Sequence, residues 1–271
     1  MSAMPLPVPL VLALTSDPAP TDRAVAPAIG ITALAAGVAI GLRAGQHDHI
    51  TKHLARCRWC DPPALDEATR AALHWQSPPG SATPRRKLAN TLSNVTFAST
   101  YVWSIGSLIG ASAFDHRATA RNTSIDVLLV AEPVAISAAL NQIVKLEVGR
   151  QRPDVHHGVV APGNDEDNLS FYSGHTALTF TSAVAAGTVA SLRGYRGSPA
   201  VWAGGLFFAS ATGYLRIAAD RHWLTDVLVG AAAGAAIGTL VPRLHLAAAS
   251  TTTLPSAPGA SPTWITWSGT F

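Results

Sequence analysis

Charge is what this sequence has least of. Asp, Glu, Lys and Arg make up 13% of its 271 residues, about half of the roughly 25% carried by soluble domains. So few charges disfavour a water-soluble globule and point to a membrane. Cysteine is limited to Cys57 and Cys60, so a zinc centre on their CxxC spacing lacks the second ligand pair that such sites normally use. No internal repeat and no nucleic-acid-binding motif is present. The formal net charge of +3 implies compatibility with anionic lipid headgroups and nothing more specific about partners.

What the chain has in quantity is apolar residues, 48% of the total. They fall into six blocks, approximately 26–43, 92–114, 124–148, 174–192, 199–217 and 222–241, each near the roughly 20 helical residues that cross a bilayer core. Gly, Ala, Ser and Thr are frequent in them, as in membrane helices that approach closely. The expected fold class is all-α: a polytopic membrane helix bundle of about six transmembrane helices, with an interfacial helix between the first and second.

Domain boundaries follow the composition. Residues 1–25 form an N-terminal segment that is disordered or signal-like; PLPVPLVLAL resembles the middle of a signal peptide but has no basic flank and contains two prolines. Residues 26–43 are the first transmembrane helix, and 44–91 a polar linker with an amphipathic candidate, LDEATRAALHW, and a break at SPPGSATP. Residues 92–246 form a core of five transmembrane helices. The tail, 247–271, reads as disordered, with Trp264 and Trp267 suited to rest on the bilayer surface.

Several cations and histidines stand at the ends of apolar blocks. Lys145 and Arg152 are seven apart; on one continuous helix that puts both on one face, with Pro153 ending the helix. Asp226 follows His222 by four residues, within reach on a helix. Its carboxylate is placed to accept one imidazole proton and leave the other nitrogen lone-paired, as a nucleophilic histidine requires. In NLSFYSGHTALTFTS, Ser173 is a good N-cap, and the amides of Gly174 and His175 open a helix whose positive end suits an anion. If the helices alternate in direction, Lys145, Arg152, Ser173, Gly174, His175, Arg216 and His222 share one rim. Ionisable groups at such positions are read as functional by default, and three cations suit a phosphate dianion.

The stretches KLEVGRQRP (145–153), YSGH (172–175) and RIAADRHWLTD (216–226) resemble the three signature motifs of the type 2 phosphatidic acid phosphatases, a branch of the superfamily shared with vanadium haloperoxidases. Spacings and order match over about 90–240. Tyr172 stands where the family usually has proline, and Leu215 where it usually has serine. The resemblance implies catalytic His222, Asp226 and His175, and phosphate binding by Lys145, Arg152, Ser173, Gly174 and Arg216. It also implies a phosphohistidine intermediate, a lipid phosphate substrate, and no metal or other cofactor. Two other readings stay open: a catalytically silent lipid-phosphate-binding or transport protein, and a vanadate-dependent haloperoxidase, although haloperoxidases are typically soluble.

Several features have plainer readings. Glu132, about 13 residues before Lys145, lies near 20 Å from it along a helix and is expected as a hydrogen-bonded bundle residue. Asp165, Glu166 and Asp167 read as a solvated loop beside the site. His49, His53, Cys57 and Cys60 favour a local disulfide or free thiols over a metal site. Arg117, Arg121, Arg193, Arg196 and Arg243 fall on the rim opposite the site, while Arg85, Arg86 and Lys87 fall on the site's own side, so the charge rule is split. The family resemblance and the cysteine pair favour a plasma (inner) membrane protein with its site facing the extracytoplasmic side.

Overall fold

The computed structural model describes residues 22–45, 57–78, 85–115, 119–164 and 166–251. The expectations for the signal-like start, His49, His53, Arg117, Asp165, Trp264 and Trp267 lie outside these residues. Among the described residues eight helices form: α1 (Asp22–Gly45), α2 (Ala64–Leu73), α3 (Arg85–Ala113), α4 (Ala120–Val148), α5 (Pro153–His156), α6 (Gly174–Leu192), α7 (Ser198–Ala218) and α8 (Leu224–Thr251). The fold is all-α. Among the described residues the one strand-like feature is an isolated bridge between Trp59 and Arg150.

Six long helices coincide with the six apolar blocks. Three are long and apolar enough to cross a membrane: Pro27–Ala44 in α1, Ala120–Val148 (α4) and Leu224–Leu246 in α8. The position of α6 explains why it needs less apolarity. It is the hub, packed by α8, α7, α4 and α3, and its Thr176, Thr179, Thr181 and Ser182 are buried against those neighbours. Protein, not lipid, covers it. On α3 the same logic is written on two faces: Ser93, Thr100, Ser104 and Ser112 point inward, while Val95, Val102 and Ile109 are exposed. Small inward side chains let membrane helices close up; the hydroxyls of Ser93 and Thr100 bond within the helix and that of Ser112 bonds Thr123 on α4.

The tightest seam joins α8 to α6. Gly230, Gly234 and Gly238 recur every fourth residue, so all three lie on one face of α8. A Cβ at Gly230 would stand 2.8 Å from the Ser173 carbonyl oxygen, and one at Gly238 2.7 Å from that of Thr181. At Gly234 it would collide with the Ala177 carbonyl. These contacts fix α8, which carries Asp226, against the N-terminal half of α6, which carries His175.

At the end of the bundle away from the site, Asp126 ties α4 to the α6–α7 turn. Arg193 Nε donates to it at 2.8 Å and the Tyr195 hydroxyl at 2.6 Å. Burial, followed by that bond to Asp126, pushes the Tyr195 phenol up to about 12. Glu132, also buried, has Oε2 2.9 Å from His245 Nε2 on α8, but that oxygen makes no hydrogen bond.

Three local expectations are corrected. Helix α4 does not run on to Pro153: Gly149, at φ 59° and ψ 45°, closes it in the left-handed conformation that glycine adopts without strain. Pro153 instead opens the short α5, where its missing N–H costs nothing. Arg152 therefore enters the site from an extended segment, not from the face of the helix that carries Lys145. The stretch from 247 begins as helix, since α8 continues through an Ala-rich segment to Thr251; alanine is the strongest helix former. The amphipathic candidate forms α2, but its acidic and basic residues face protein. Asp66 is fully buried, and Arg70 pairs with Asp220 at 2.6 and 2.8 Å. Leu65 and Leu73 are left on the outside.

Candidate active site

At one end of the bundle a cavity of about 440 Å³ is lined by Lys145, Arg152, Gly174, His175, Arg216 and His222, together with Arg43, Asn90, Asn94, Phe97, Asn141, Glu166 and Arg221. Six of the eight residues named from sequence thus meet around one space. The other two stand behind it. Asp226 is fully buried beneath His222, and the Ser173 hydroxyl turns back to its own helix, accepting from Thr176 N at 3.4 Å and Thr176 Oγ1 at 3.0 Å. Ser173 is the N-cap of α6, and its amide donates to the Asp226 carbonyl at 3.1 Å.

His222 sits in the turn just ahead of α8, with Nδ1 3.5 Å from Asp226 Oδ2. Its Nε2 is thereby left as the nitrogen available to react. The carboxylate is heavily engaged: Oδ2 accepts from Ser170 Oγ at 2.5 Å and from the Trp223 amide at 3.0 Å, while Oδ1 accepts from Arg150 Nη1 at 2.5 Å. The bond from Trp223 N back to Asp226 three residues on also satisfies an orphan donor at the start of α8. Burial, then Arg216, Arg152 and Lys145, push His222 well below the ordinary histidine range. It is therefore neutral, as a nucleophile must be.

Arg216 and Arg152 are held by different scaffolds. Arg216 Nη1 donates to Asn90 Oδ1 on α3 at 2.8 Å, and its buried Nε has no hydrogen-bond partner. Buried donors are normally satisfied, so a free one at a cavity wall suits an incoming anion. Arg152 Nε donates to the Glu166 carbonyl at 2.8 Å and its Nη2 to Glu166 Oε2 at 3.1 Å. Burial, then Arg221, push the Arg152 guanidinium below its usual value. Burial alone would raise Glu166, yet Arg152, Lys145 and Arg221 outweigh it and hold that carboxyl below the ordinary range. Arg43, Lys145, Arg152, Arg216 and Arg221 face a single carboxylate, Glu166, among the lining residues. The excess positive charge favours a polyanion.

His175 opens α6 with Nε2 3.1 Å from Asn94 Oδ1 and its ring 4.8 Å from that of Phe97, both on α3. Gly174 must lack a side chain: a Cβ there would stand 2.7 Å from Asn141 Oδ1. Asn141 in turn donates to the Tyr172 carbonyl at 2.8 Å. Of the two departures from the family pattern, Tyr172 is buried and Leu215 packs with Ala89, Ala218 and Ala219. Neither touches the cavity.

Sequence reasoning missed several participants. Glu166 is a half-exposed loop residue that also forms part of the cavity wall, whereas Asp167 is buried, accepting from the Gly163 and Asn164 amides. Arg221, next to His222, and Ser170, in NLSFYSGH, lay beside motifs and were legible as neighbours. Arg150 lay inside one, between Gly149 and Arg152. Asp66, buried against Arg150 at 2.5 Å, carried no signal. Cys57 and Cys60 are joined as a disulfide. Among the described residues the one candidate metal-ligand group, Glu67, His156 and His157, lies partly exposed outside the cavity.

Comparison with known proteins bears on the same stretch. Over 122 residues, 44% of this chain, it is 36% identical to a lipid A 1-phosphatase of Porphyromonas gingivalis. The matched segment is 24% of that protein's length, so the chain spans about a quarter of this curated relative. The crystal structure of a transmembrane PAP2 type phosphatidylglycerolphosphate phosphatase from Bacillus subtilis aligns with 85% of this chain and 98% of its own, at 17% identity and a TM-score of 0.45. Residues 126–249, which hold all three motifs, match the model of the PAP2 superfamily.

Proposed function

We propose that this chain is an integral membrane phosphatase that removes phosphate from a lipid phosphate monoester or diphosphate through a phosphohistidine intermediate. The observation that carries the reading is the meeting of Lys145, Arg152, Arg216, His175 and His222 around one cavity, with Asp226 behind His222. Three separate segments of sequence supply them.

In this mechanism the phosphate oxygens are held by Lys145, Arg152, Arg216 and the Gly174 amide, and this preorganised positive field stabilises charge as it develops. His222 Nε2 attacks phosphorus while the P–O bond to the lipid breaks. His175 gives its proton to the departing lipid oxygen. Asp226, on the Nδ1 side, stabilises the positive charge that His222 acquires. Water then attacks the phosphohistidine, losing a proton to His175, and releases inorganic phosphate and free His222. Every step uses groups on this chain.

The motif match and the named relative favour a lipid phosphate, and phosphatidic acid, phosphatidylglycerol phosphate, a polyprenyl diphosphate and a phosphorylated glycolipid are the candidates. The cavity lies at a bundle end, where a headgroup can enter from the lipid phase. The Cys57–Cys60 bridge fits an oxidising compartment, which supports an extracytoplasmic site on the plasma (inner) membrane. The test is phosphate release from a panel of these lipids by purified protein in detergent, beside His222→Ala. Turnover that the substitution abolishes is expected; lipid binding without turnover sinks the enzyme and leaves a silent binding protein, and bromide oxidation with added vanadate makes it a peroxidase.

A further inference from the structure

We propose that Asp66 and Arg150 form a positioning relay that sets the orientation and charge of Asp226, so that a helix outside the three motifs tunes the nucleophile. The inference rests on the phosphatase reading and extends it to Asp66, which no motif contains, and to Arg150, which the proposed mechanism does not use.

Arg150 lies at the centre. Only 1% of it is exposed, and its two terminal nitrogens divide between two carboxylates: Nη1 donates to Asp226 Oδ1 and Nη2 to Asp66 Oδ2, each at 2.5 Å. Both aspartates are fully buried. A planar fork can hold two carboxylates in fixed relation, which a lysine ammonium cannot do. The Trp59 ring covers the guanidinium at 3.9 Å, supplied by the Cys57–Cys60 loop, which is bonded to the end of α4 through Arg58 N to Gly149 O and Gln151 N to Trp59 O.

Asp66 has a second attachment. Its Oδ1 accepts from the Thr225 amide at 2.9 Å and its Oδ2 from the Thr225 hydroxyl at 2.7 Å. It thus caps the first turn of α8, the turn that presents Asp226, from a different helix. The charge balance adds to the geometry. With Asp226 alone, Arg150 would neutralise the carboxylate that must stabilise a positive His222. Asp66 supplies the second negative charge, and the trio keeps a net charge of −1 beside Nδ1. Buried charges of this kind are costly unless each is paired and hydrogen-bonded; here both carboxylates and both terminal nitrogens of Arg150 are bonded, and only Arg150 Nε has no hydrogen-bond partner.

A purely structural role predicts lost folding and no change in chemistry per folded molecule. The relay predicts weaker stabilisation of the transition state with substrate binding retained. The experiment compares full-length wild type, Asp66→Asn and Thr225→Val in detergent, with thermal unfolding to count folded protein and dioctanoyl phosphatidic acid as substrate. Calorimetry of orthovanadate and inorganic phosphate binding runs alongside. Asp66→Asn removes one charge at nearly constant shape, and kcat per folded molecule is expected to fall roughly 10- to 100-fold, the scale of a lost hydrogen bond to a charged group, with KM within threefold. Thr225→Val removes no charge but takes away the hydroxyl that donates to Asp66 Oδ2 and accepts from Arg150 Nη1 at 2.7 Å, and is expected to cost about three- to tenfold in kcat; it serves if Asp66→Asn does not fold. Orthovanadate, which imitates the transition state at His222, should bind at least tenfold more weakly to Asp66→Asn, while phosphate binding stays unchanged. Unchanged kcat and vanadate affinity in folded variants overturns the relay, as does a loss confined to KM or to the folded fraction. If wild type releases no phosphate, the phosphatase reading fails by itself, and the vanadate-to-phosphate contrast still decides the relay.

Discussion

Glu166 Oε2 stands 3.1 Å from Arg152 Nη2 and 3.6 Å from Arg221 Nη2, so an internal carboxylate occupies part of the cradle that a phosphate must enter. The side chain is 51% exposed and free to swing toward solvent, where a half-exposed ion pair contributes at most about 1 kcal/mol. On the phosphatase reading, substrate binding displaces it. Glu166→Gln should therefore lower KM by about two- to fivefold, the equivalent of that energy, and leave kcat nearly as it was. Steady-state kinetics at low and high salt checks this, and a raised KM would make Glu166 a contributor to binding instead of a competitor.

Gly174 is the point of closest approach between α6 and the Asn141 amide. A methyl group there, 2.7 Å from Asn141 Oδ1, displaces an amide that also holds the Tyr172 carbonyl. Because that amide is held by its bond to Tyr172, the expected response is a shift of the N-terminus of α6, and of His175 with it. Gly174→Ala should reduce kcat about 10- to 100-fold, since misplacing a catalytic group by about 1 Å has effects of that order. Thermal unfolding should change by only a few degrees. Activity equal to wild type would mean that Asn141 yields freely and that the glycine is dispensable.

The neutrality of His222 makes stability depend on pH. In the unfolded chain its imidazole has the ordinary pKa near 6.5; in the folded protein burial, then Arg216, Arg152 and Lys145, hold it well below that. Below about pH 6.5 the unfolded chain therefore takes up a proton that the native state refuses. The stabilisation is complete above that pH and shrinks as pH falls, by up to about 1.4 kcal/mol per unit for this one group. Unfolding temperature in detergent should drop between pH 7 and pH 5, and His222→Gln should drop less steeply. Parallel curves for the two proteins would refute the assignment.

The cradle was legible because its residues stand at fixed short spacings at the ends of apolar blocks: Lys145 and Arg152, the YSGH turn, Arg216 and His222. The helix boundaries between them were less so. Reading Lys145 and Arg152 as one helical face overlooked Gly149, whose left-handed cap ends the helix and turns Arg150 inward. Ser173 was legible as a cap, while the direction of its hydroxyl depends on Thr176 beside it. Asp66 was beyond reach, because the partner that gives it meaning lies 84 residues away and a buried aspartate in an amphipathic stretch reads as a solvated one. Local chemistry shows in sequence, whereas pairing across helices appears only once the bundle closes.

The glycines of α8 test whether that closure sets the site. A Cβ at Gly234 meets the Ala177 carbonyl, a backbone atom with no rotamer to retreat to, and Thr181 N at 3.0 Å. Helices α6 and α8 must separate to accept any larger residue. Overpacking of this kind costs about 1–3 kcal/mol in well-packed cores, and here it acts between the helix that carries His175 and the one that carries Asp226. Gly234→Val should lower the unfolding temperature and reduce kcat together, although residue 234 is absent from the cavity wall. A control at Leu240, on the same helix but 58% exposed, should do neither when changed to Val. A Gly234→Val protein with full stability would mean that the seam is looser than its contacts indicate. Full stability with lost activity would move the effect from packing to the site itself.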